Sequence, residues 1–289
     1  MKTGNELWRF VSRRGLKPLP KTNVSEWADT YAIIPQGNAE PGKWRTSRAP
    51  YQREPMNAFT QSGIHRVVAM WAGQMGKSRL MLNVIGRFAH LDPCVIMLVQ
   101  PTVEMAEDFS KSRIAPMLRD TRVLTNLFLD VKTRDSNNTI LSKIFPGGRL
   151  IMCGANSPAG LASRPVRVLL CDEVDRFPLS AGTEGDPVGL AAKRMTTFWN
   201  RVAGLFSTPT AEGSSRIADE YAKGTQEEWQ HQCPGCGEWH LLRHFDMETD
   251  SRETENPDGA KVVIVEAVCW RCPDCGKTFE VPLNFTGEG

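Results

Sequence analysis

The chain has 289 residues, of which 40% are hydrophobic and 24% are charged, and its formal net charge at pH 7 is +2. This length allows one large α/β domain with a small appended module, and the composition is that of an ordinary globular protein. All apolar runs are far shorter than the ~20 residues that a membrane-spanning helix needs. The polar, basic N-terminus lacks the apolar segment of a signal peptide. We therefore expect a cytoplasmic protein without a membrane partner.

Basic residues are concentrated near the N-terminus. Residues 1–60 carry ten Lys/Arg against five Asp/Glu. Such an arm can contact nucleic-acid phosphates, or it can be a solvated leader, and the sequence favours neither. A short helix is predicted over 25–31, with Ser25 as its N-cap.

Residues 65–80 are typical of an apolar strand, a tight glycine turn and the start of a helix that runs to about Ala89. In a phosphate-binding loop, backbone N–H groups face the anion and a lysine reaches the terminal phosphates. Trp71 occupies the position of the usual first glycine, so this segment alone is equally compatible with an ordinary strand–turn–helix. The candidate nucleotide-binding residues are Gly73, Gln74, Met75, Gly76, Lys77 and Ser78, with the Ser78 hydroxyl as a Mg²⁺ ligand.

A second apolar run, over 166–171, ends in the adjacent carboxylates Asp172 and Glu173. Buried parallel strands have this composition, and ligands bind at their carboxyl ends. Asp172 is then placed to hold Mg²⁺ through water, and Glu173 to orient the attacking water. A strand with a charged end in solvent is the alternative. The two motifs together, in this order, predict ATP hydrolysis, with Lys77 and Glu173 as the catalytic residues.

Strand-like and helix-like segments alternate along the rest of the chain. This alternation predicts an α/β fold with a doubly wound, mostly parallel sheet. Together with the phosphate-loop motif, it predicts a P-loop NTPase. The segments are a strand over 94–99, a helix over 103–118 capped by Thr102, a hairpin of 139–145 and 149–152, a short helix over 157–162, a helix over 188–199 and a strand over 203–206.

Two shorter patterns add candidate residues. Tyr51 and Gln52 lie shortly before the loop, where an aromatic ring and a glutamine clamp adenine in motor ATPases, although a surface turn is the alternative. Ser207 and Thr208 end a strand that follows the carboxylate strand. Hydroxyl groups at such a position can sense the γ-phosphate and couple its loss to movement; a plain turn is the alternative.

Cysteine spacing predicts a metal site near the C-terminus. Cys233 and Cys236 form one Cys-x-x-Cys pair and Cys272 and Cys275 form another, with 35 residues between the pairs. Two such knuckles are typical of a structural Cys₄ zinc ribbon, with a polar hairpin tip over 248–259.

Three other side chains keep the ligand assignment open. Cys269 also forms a Cys-x-x-Cys pair with Cys272, and His240 and His244 are alternative ligands. The remaining cysteines, Cys94, Cys153 and Cys171, lie in or beside apolar runs and are predicted to be core residues. The predicted regions are 1–60, a basic leader and adenine-side segment; 61–225, the ATPase core; and 226–289, the zinc-ribbon module.

These motifs together resemble the large terminase subunit of tailed bacteriophages, of the lambda-like type. The resemblance runs from about residue 25 to 276, and phosphate loops without the first glycine are usual in that family. The matching segments are 25–29, 40–44, 50–51, 74–78, 163–167, 172–178, 207–210 and the two cysteine knuckles.

The resemblance implies a motor that packages double-stranded DNA into a procapsid using ATP. Such subunits assemble as a homo-oligomeric ring at the portal protein, work with a small terminase subunit, and act in the host cytoplasm. Lys77 would bind the phosphates, Ser78 and Asp172 the Mg²⁺, and Glu173 the water, with Thr208 as the coupling residue. A neighbouring subunit often adds an arginine; the candidates are Arg164, Arg167, Arg176 and Arg194.

Members of the family normally carry a C-terminal nuclease domain that uses carboxylate-held metal. No cluster of acidic residues that could serve this purpose follows the cysteine module in this sequence. We therefore expect ATPase activity without endonuclease activity. Two alternatives to a packaging motor stay open. One is a helicase-like ATPase that remodels nucleic acid, and the other is a zinc-ribbon DNA-binding protein with a vestigial phosphate loop. A nucleotide kinase is less favoured, because the Asp172–Glu173 pair suits hydrolysis better than transfer.

Overall fold

The computed structural model describes residues 21–125, 127–128, 138–211, 213–241, 243, 246–255 and 261–280. The chain divides into two compact units between Thr225 and Gln226. Residues 1–20 of the basic leader, the alternative ligand His244 and residues 256–259 of the predicted hairpin tip (248–259) lie outside the described residues. Residues 248–255 of that predicted tip form part of a strand instead. No helix in the described part combines the length and apolar character that crossing a membrane requires.

Short elements precede the main sheet of the first unit. They are α1 (Val24–Tyr31), β1 (Ile33–Ile34), β2 (Gly42–Lys43), the 3-10 turns Thr46–Arg48 and Pro50–Gln52, and α2 (Arg53–Ala58). The remaining elements of this unit, in chain order, are β3 (Arg66–Met70), α3 (Lys77–Leu91), β4 (Val95–Gln100), α4 (Val103–Phe109), a π-turn (Ser110–Ile114), α5 (Ala115–Asp120), α6 (Arg122–Thr125), β5 (Ser142–Phe145), β6 (Gly148–Gly154), α7 (Pro158–Leu161), β7 (Val168–Asp172), the 3-10 turn Val174–Arg176, α8 (Pro187–Lys193), β8 (Val202–Ser207) and α9 (Arg216–Ala222).

The main sheet has six strands in the order β3-β8-β7-β4-β6-β5. All neighbouring strands are parallel except β5, which pairs antiparallel with β6. Because successive side chains of a strand point to opposite faces, Ile96 and Leu98 enter one apolar core while Met97 and Val99 enter another. The first core contains α3 and the second contains residues of α7, α8 and α9. The predicted α/β fold with a mostly parallel sheet is confirmed.

Helix α1 packs closely on α3. Gly86 of α3 lies under Trp27, and a Cβ on Gly86 would be 2.2 Å from the indole ring. Trp27 also donates a hydrogen bond from Nε1 to Nδ1 of His90, at 3.1 Å. Only glycine allows this approach, so α1 is fixed against the helix that begins at the phosphate-loop motif.

Two helix N-caps are predicted from the sequence, Ser25 and Thr102. Ser25 is not the N-cap of α1. Asn23 is, because its side chain accepts from Glu26 N while Glu26 Oε2 accepts from Asn23 N, forming a capping box. Thr102 caps α4 as predicted, with Oγ1 accepting from Met105 N at 3.3 Å.

The expected single helix over 103–118 is interrupted by the π-turn. Pro116 follows this turn and has no N–H to donate to the preceding turn.

The predicted helix over 188–199 is also shorter than expected, since α8 ends at Lys193. The chain then tightens into three-residue turns, in which Met195 N donates to Ala192 O and Phe198 N donates to Met195 O. The β-branched pair Thr196 and Thr197 lies in this stretch and disfavours helix. The predicted hairpin is confirmed as β5 and β6.

The second unit contains two small antiparallel sheets. One pairs β9 (His231–Gln232) with β10 (Trp239–His240). The other consists of β11 (Met247–Glu255), β12 (Lys261–Arg271) and β13 (Thr278–Glu280), in that order. Trp270 is fully buried in a small core with Cys233 and Cys272.

Candidate nucleotide and metal sites

The carboxyl ends of four parallel strands meet at one edge of the main sheet. Met70 of β3 is in register with Ser207 of β8, and Asp172 of β7 is in register with Phe206 of β8. Strand β4 lies on the other side of β7 and ends at Gln100. Side chains that follow these strands are therefore neighbours in space, although they are far apart along the chain.

The phosphate-loop motif connects β3 to α3 at this edge. Trp71 N donates to Ser207 O at 3.1 Å, which continues the pairing of β3 with β8. The loop turns through two residues with positive φ, Gln74 at 65° and Gly76 at 79°. Gly73, Gln74 and Met75 are exposed, and Ser78 follows as the second residue of α3. The loop thus presents its backbone at the start of the helix, the arrangement that binds anions.

Trp71 stands where the usual pattern has glycine, and it is partly buried against the first core. Its ring meets that of Tyr51 edge-on, with centroids 5.6 Å apart. The bulky side chain is therefore accommodated by packing beside the loop.

The Lys77 side chain lies under the loop and is only 7% exposed. Its Nζ donates to Trp71 O at 3.2 Å, to Ala72 O at 3.1 Å and to Thr208 Oγ1 at 2.8 Å. Glu173 Oε1 lies 3.8 Å from the same nitrogen. These contacts bring together the Lys77 ammonium group, the Glu173 carboxylate after β7 and the Thr208 hydroxyl after β8.

Glu173 adopts the left-handed conformation, with φ 54° and ψ 51°. This conformation is uncommon for a residue with a Cβ and costs about 1 kcal/mol or more. It turns the chain sharply after β7 into the Val174–Arg176 turn. The carboxylate stands between Lys77 Nζ and Arg176 Nε, which is 4.0 Å from Oε2.

Asp172 is 5% exposed and accepts a hydrogen bond from Gln100 Nε2 at 3.0 Å. Burial raises the pKa of Asp172 to about 6, the Gln100 hydrogen bond opposes this rise, and the Glu173 carboxylate adds to it. A buried carboxylate with a raised pKa beside a second carboxylate is a suitable environment for a cation.

The adenine-side candidates also contact the loop. Tyr51 Oη donates to Met75 O at 3.2 Å, and Gln52 Nε2 donates to the same oxygen at 3.1 Å. Gln52 is 2% exposed, and a Cβ on Gly76 would lie 2.4 Å from Gln52 Nε2. Its buried Oε1 has no hydrogen-bond partner among the described residues. An unsatisfied buried acceptor of this kind is uncommon in a folded protein.

Among the coupling candidates, Thr208 contacts Lys77 directly, whereas Ser207 is fully buried at the end of β8. The Ser207 hydroxyl donates to Thr208 O at 3.1 Å and accepts from Asp175 N at 3.3 Å. Ser207 therefore joins the end of β8 to the turn after β7.

The four arginine candidates differ in their surroundings. Arg167 precedes β7 and forms two hydrogen bonds with Asp92, of 2.8 and 2.6 Å, so it lies at the opposite end of this strand from Asp172. Arg176 is exposed and faces Glu173, and Arg164 is exposed. Arg194 is partly buried, and its Nε has no hydrogen-bond partner among the described residues.

The four predicted cysteine ligands form one cluster. The Sγ atoms of Cys233, Cys236, Cys272 and Cys275 all lie within 4.8 Å of one another. The Cys233–Cys275 and Cys236–Cys272 sulfur separations are 3.8 and 3.7 Å. A tetrahedral zinc site with Zn–S bonds of about 2.3 Å has sulfur separations of about 3.8 Å. These two separations match those of a four-thiolate zinc site.

In each knuckle a backbone N–H group donates to the sulfur of the first cysteine. Gly235 N donates to Cys233 Sγ at 3.3 Å and Cys275 N to Cys272 Sγ at 3.5 Å. Gly237 and Gly276 close the turns with φ of 80° and 68°. These N–H groups stabilise thiolate charge, and the positive φ values favour glycine.

The alternative ligands occupy different positions. Cys269 is not in the sulfur cluster; it lies within β12, paired with Glu248 and Glu280 of the neighbouring strands. His240 Nε2 lies 3.4 Å from Cys272 Sγ and 3.6 Å from Asp274 Oδ2, beside the cluster.

Two residues at the candidate nucleotide site were not identified from the sequence. Gln100 bonds Asp172, and Asp175 bonds the turn after β8. A polar residue at the end of an apolar strand was the available signal for Gln100. Asp175 lies in the segment 172–178, but nothing in the sequence around it indicates that it contacts Thr210 and Ile217.

Comparisons with known proteins identify a family for this chain. The family model described as phage terminase large subunit gpA, ATPase domain, matches residues 38–282. The chain is 31% identical over 263 residues to the terminase large subunit of Escherichia phage lambda, covering 88% of this chain and 40% of that protein. It is 30% identical over 236 residues to the terminase large subunit of Enterobacteria phage P21, covering 79% of this chain and 36% of that protein.

A solved structure shares the fold. The crystal structure of the HK97 bacteriophage large terminase superposes with a TM-score of 0.54 at 14% identity, covering 71% of this chain and 42% of that one. The chain thus spans well under half the length of these relatives. Because the family model matches most of its length, the chain belongs to the family of phage terminase large-subunit gpA ATPase domains.

Proposed function

We propose that this chain hydrolyses ATP and that this hydrolysis drives translocation of double-stranded DNA into a viral procapsid. The observation that carries the proposal is the convergence of Lys77, Glu173 and Thr208 at the carboxyl edge of the sheet. Three separate segments supply a cation, a carboxylate and a hydroxyl at one point beside a phosphate-type loop. This combination supports phosphoanhydride hydrolysis better than binding alone.

The roles follow from the chemistry of each group. Lys77 neutralises charge on the terminal phosphates, while the N–H groups of Gly73, Gln74, Met75 and Gly76 cradle them. Ser78 and Asp172 would hold Mg²⁺, directly or through water, and the ion would offset charge on the phosphate oxygens. Glu173 orients the attacking water and accepts its proton.

Adenine recognition is proposed for Tyr51 and Gln52. Their shared hydrogen bonds to Met75 O place the aromatic ring and the amide beside the loop. The unpartnered Gln52 Oε1 supports a role as acceptor for the adenine amino group. Thr208, which contacts Lys77, and Ser207 are proposed to pass the state of the phosphate to the turn after β8.

The partners are proposed from the family. They are double-stranded DNA, a small terminase subunit and the portal protein of the procapsid, with further copies of the chain in a ring in the host cytoplasm. Arg176, exposed and adjacent to Glu173, or Arg164, also exposed, is better placed than Arg167 to reach a neighbouring subunit's site.

The cysteine unit is proposed to be a structural zinc ribbon, with Cys233, Cys236, Cys272 and Cys275 as ligands. The matching sulfur separations and the two equivalent knuckles support this proposal. Four thiolates fill the coordination sphere of zinc, so the ion would stabilise the fold and take no part in catalysis.

The decisive experiment measures ATP turnover by the purified chain with and without duplex DNA. We expect turnover that DNA stimulates. Glu173→Gln should lower kcat by about 100-fold or more, the size expected for losing a general base, while ATP binding persists. Glu184→Gln, a matched change at an exposed position, should leave kcat unchanged. Absence of turnover with and without DNA would instead indicate a DNA-binding protein with a vestigial loop.

A further inference from the structure

Asp175 joins three segments at the carboxyl edge of the sheet. It lies two residues after Glu173, in the Val174–Arg176 turn. Its Oδ2 accepts hydrogen bonds from Thr210 N at 3.0 Å and from Thr210 Oγ1 at 3.1 Å. Its Oδ1 accepts from Ile217 N, in the first turn of α9, at 2.7 Å. One carboxylate therefore links the turn after β7 to the turn after β8 and to a helix.

The main chain of Asp175 reinforces this link, because its N–H donates to Ser207 Oγ at 3.3 Å. Burial raises the pKa of Asp175, but the hydrogen bonds from Ile217, Ser215 and Thr210 outweigh this effect and hold the pKa below its ordinary value. The carboxylate is thus charged at neutral pH, and its hydrogen bonds are the stronger, charge-assisted kind.

The same turn reaches the candidate phosphate position. Thr208 Oγ1 accepts a hydrogen bond from Lys77 Nζ at 2.8 Å. A lysine that binds terminal phosphates redirects its donors when phosphate arrives or leaves. Such a change would weaken the hydrogen bond from Lys77 to Thr208, and Thr210, two residues later, is bound to Asp175.

Helix α9 carries the other end of the connection. Arg216 forms an ion pair with Asp186, the N-cap of α8, at 2.7 Å, and Glu220 pairs with Arg66 of β3. A shift in the first turn of α9 thus reaches both α8 and the outer strand of the sheet.

We propose that Asp175 is a positioning residue that holds the Ser207–Thr210 turn and α9 in register with Glu173. Through it, a change at Lys77 moves α9. This role rests on the proposed ATP hydrolysis and adds to it the route by which the phosphate state leaves the site. The hydrogen bonds described for Asp175 are with protein groups, and the proposal assigns it no contact with the reacting atoms.

The test is Asp175→Asn in the full chain, which keeps the size of the side chain but directs an amide N–H at one of the donors. Turnover with and without duplex DNA, the Kd of a fluorescent ATP analogue and the Tm are measured together. We expect kcat to fall about tenfold or more, because a small misplacement of Glu173 and of the turn after β8 is enough to slow a reaction that depends on their alignment. Stimulation by DNA should fall too, with Kd unchanged.

A matched control and a second variant guard against a purely structural effect. Asp219→Asn makes the same charge change at an exposed position of α9 and should behave as wild type. Thr210→Val removes one hydroxyl donor, keeps the backbone N–H, and should lower kcat less than Asp175→Asn does. Loss of Tm or nucleotide affinity in the Asp175 variant, with kcat per folded molecule unchanged, would overturn the inference.

A double-mutant cycle gives an independent readout. If Thr208 and Asp175 act on one route, the effects of Thr208→Val and Asp175→Asn on DNA stimulation should be less than additive. Additive effects would contradict the proposal. An inactive wild type would overturn the proposed ATPase and this inference together. If the wild type is active and both Asp175→Asn and Thr210→Val keep its kcat, this inference alone is overturned.

Discussion

Asp172 carries a buried carboxylate at the candidate Mg²⁺ position. Its side chain is 5% exposed, and burial raises its pKa to about 6, well above the range of a solvated aspartate. Because the pKa is higher in the folded chain than in the unfolded chain, ionised Asp172 disfavours folding above pH 6. That penalty fades as the pH falls from 6 towards 4. A bound cation would remove it by supplying the missing positive charge.

We therefore predict that Asp172→Asn stabilises the metal-free, nucleotide-free protein at pH 8. The gain in the free energy of unfolding should be up to about 3 kcal/mol, since one pKa unit corresponds to about 1.4 kcal/mol. The asparagine oxygen can still accept from Gln100. Urea unfolding at pH 8 and pH 4 tests this, with the gain nearly absent at pH 4. An equal gain at both values would show that the charge of Asp172 is not the cause.

Glu173 illustrates a second single-residue effect, because its left-handed backbone is unusual for glutamate. The strain directs the chain after β7 so that Glu173 faces Lys77 and Asp175 faces the turn after β8. Two carboxylates within three residues thus reach different partners. Backbone strain of this kind is tolerated when the surrounding hydrogen bonds fix it.

At the scale of elements, Arg167 and Asp92 join the start of β7 to the end of α3. Their paired hydrogen bonds measure 2.8 and 2.6 Å, and the guanidinium lies 5.5 Å from the centroid of the Phe88 ring. Burial alone would raise the pKa of Asp92, but the hydrogen bonds and charge of Arg167, with those of Arg87, lower it. The pair therefore aligns the helix that starts with Lys77 against the strand that ends with Asp172.

Arg167→Met should lower the free energy of unfolding by about 1–2 kcal/mol at pH 7, a value reduced for the partial exposure of the pair. Because the pKa of Asp92 is depressed in the folded state, this contribution exists above about pH 4 and is lost as the pH falls below it. Denaturant unfolding at pH 7 and pH 3 measures the difference. kcat per folded molecule should stay at the wild-type value. A selective loss of kcat would place Arg167 at the catalytic site of a neighbouring subunit instead.

At the scale of the whole molecule, the chain combines an apolar two-sided core with a unit that has little core of its own. The main sheet is covered on both faces, whereas the buried apolar cluster described in the second unit comprises only Cys233, Trp270 and Cys272. So small a cluster rarely stabilises a domain without a metal or a disulfide. The second unit is therefore expected to need a bound metal ion to fold stably.

We predict one equivalent of zinc per chain, measured by elemental analysis of the purified protein. Cys236→Ser should release the zinc and abolish the near-UV circular dichroism of Trp270, because structural zinc supplies much of the folding free energy of such units. Cys269→Ser is the matched control and should keep the full equivalent. Zinc loss in the Cys269 variant together with retention in the Cys236 variant would reverse the ligand assignment.

The sequence by itself identified the groups whose chemistry depends on residues close together along the chain. The loop over Gly73–Ser78, the Asp172–Glu173 pair and both cysteine knuckles are each readable within a few residues. Strand–helix alternation likewise predicted the mostly parallel sheet, because period and turn chemistry are local properties. Local patterns fail where two residues compete for one role, and so Asn23, not Ser25, caps α1.

Only the tertiary structure decided which of these groups are neighbours. The order β3-β8-β7-β4 brings Thr208 to Lys77 and Gln100 to Asp172, and strand order has no signal in a single sequence. Asp175 is the clearest case, since its partners Thr210 and Ile217 follow it by 35 and 42 residues. Contacts between distant segments form only when the whole sheet has assembled, because its packing fixes which strand ends lie side by side.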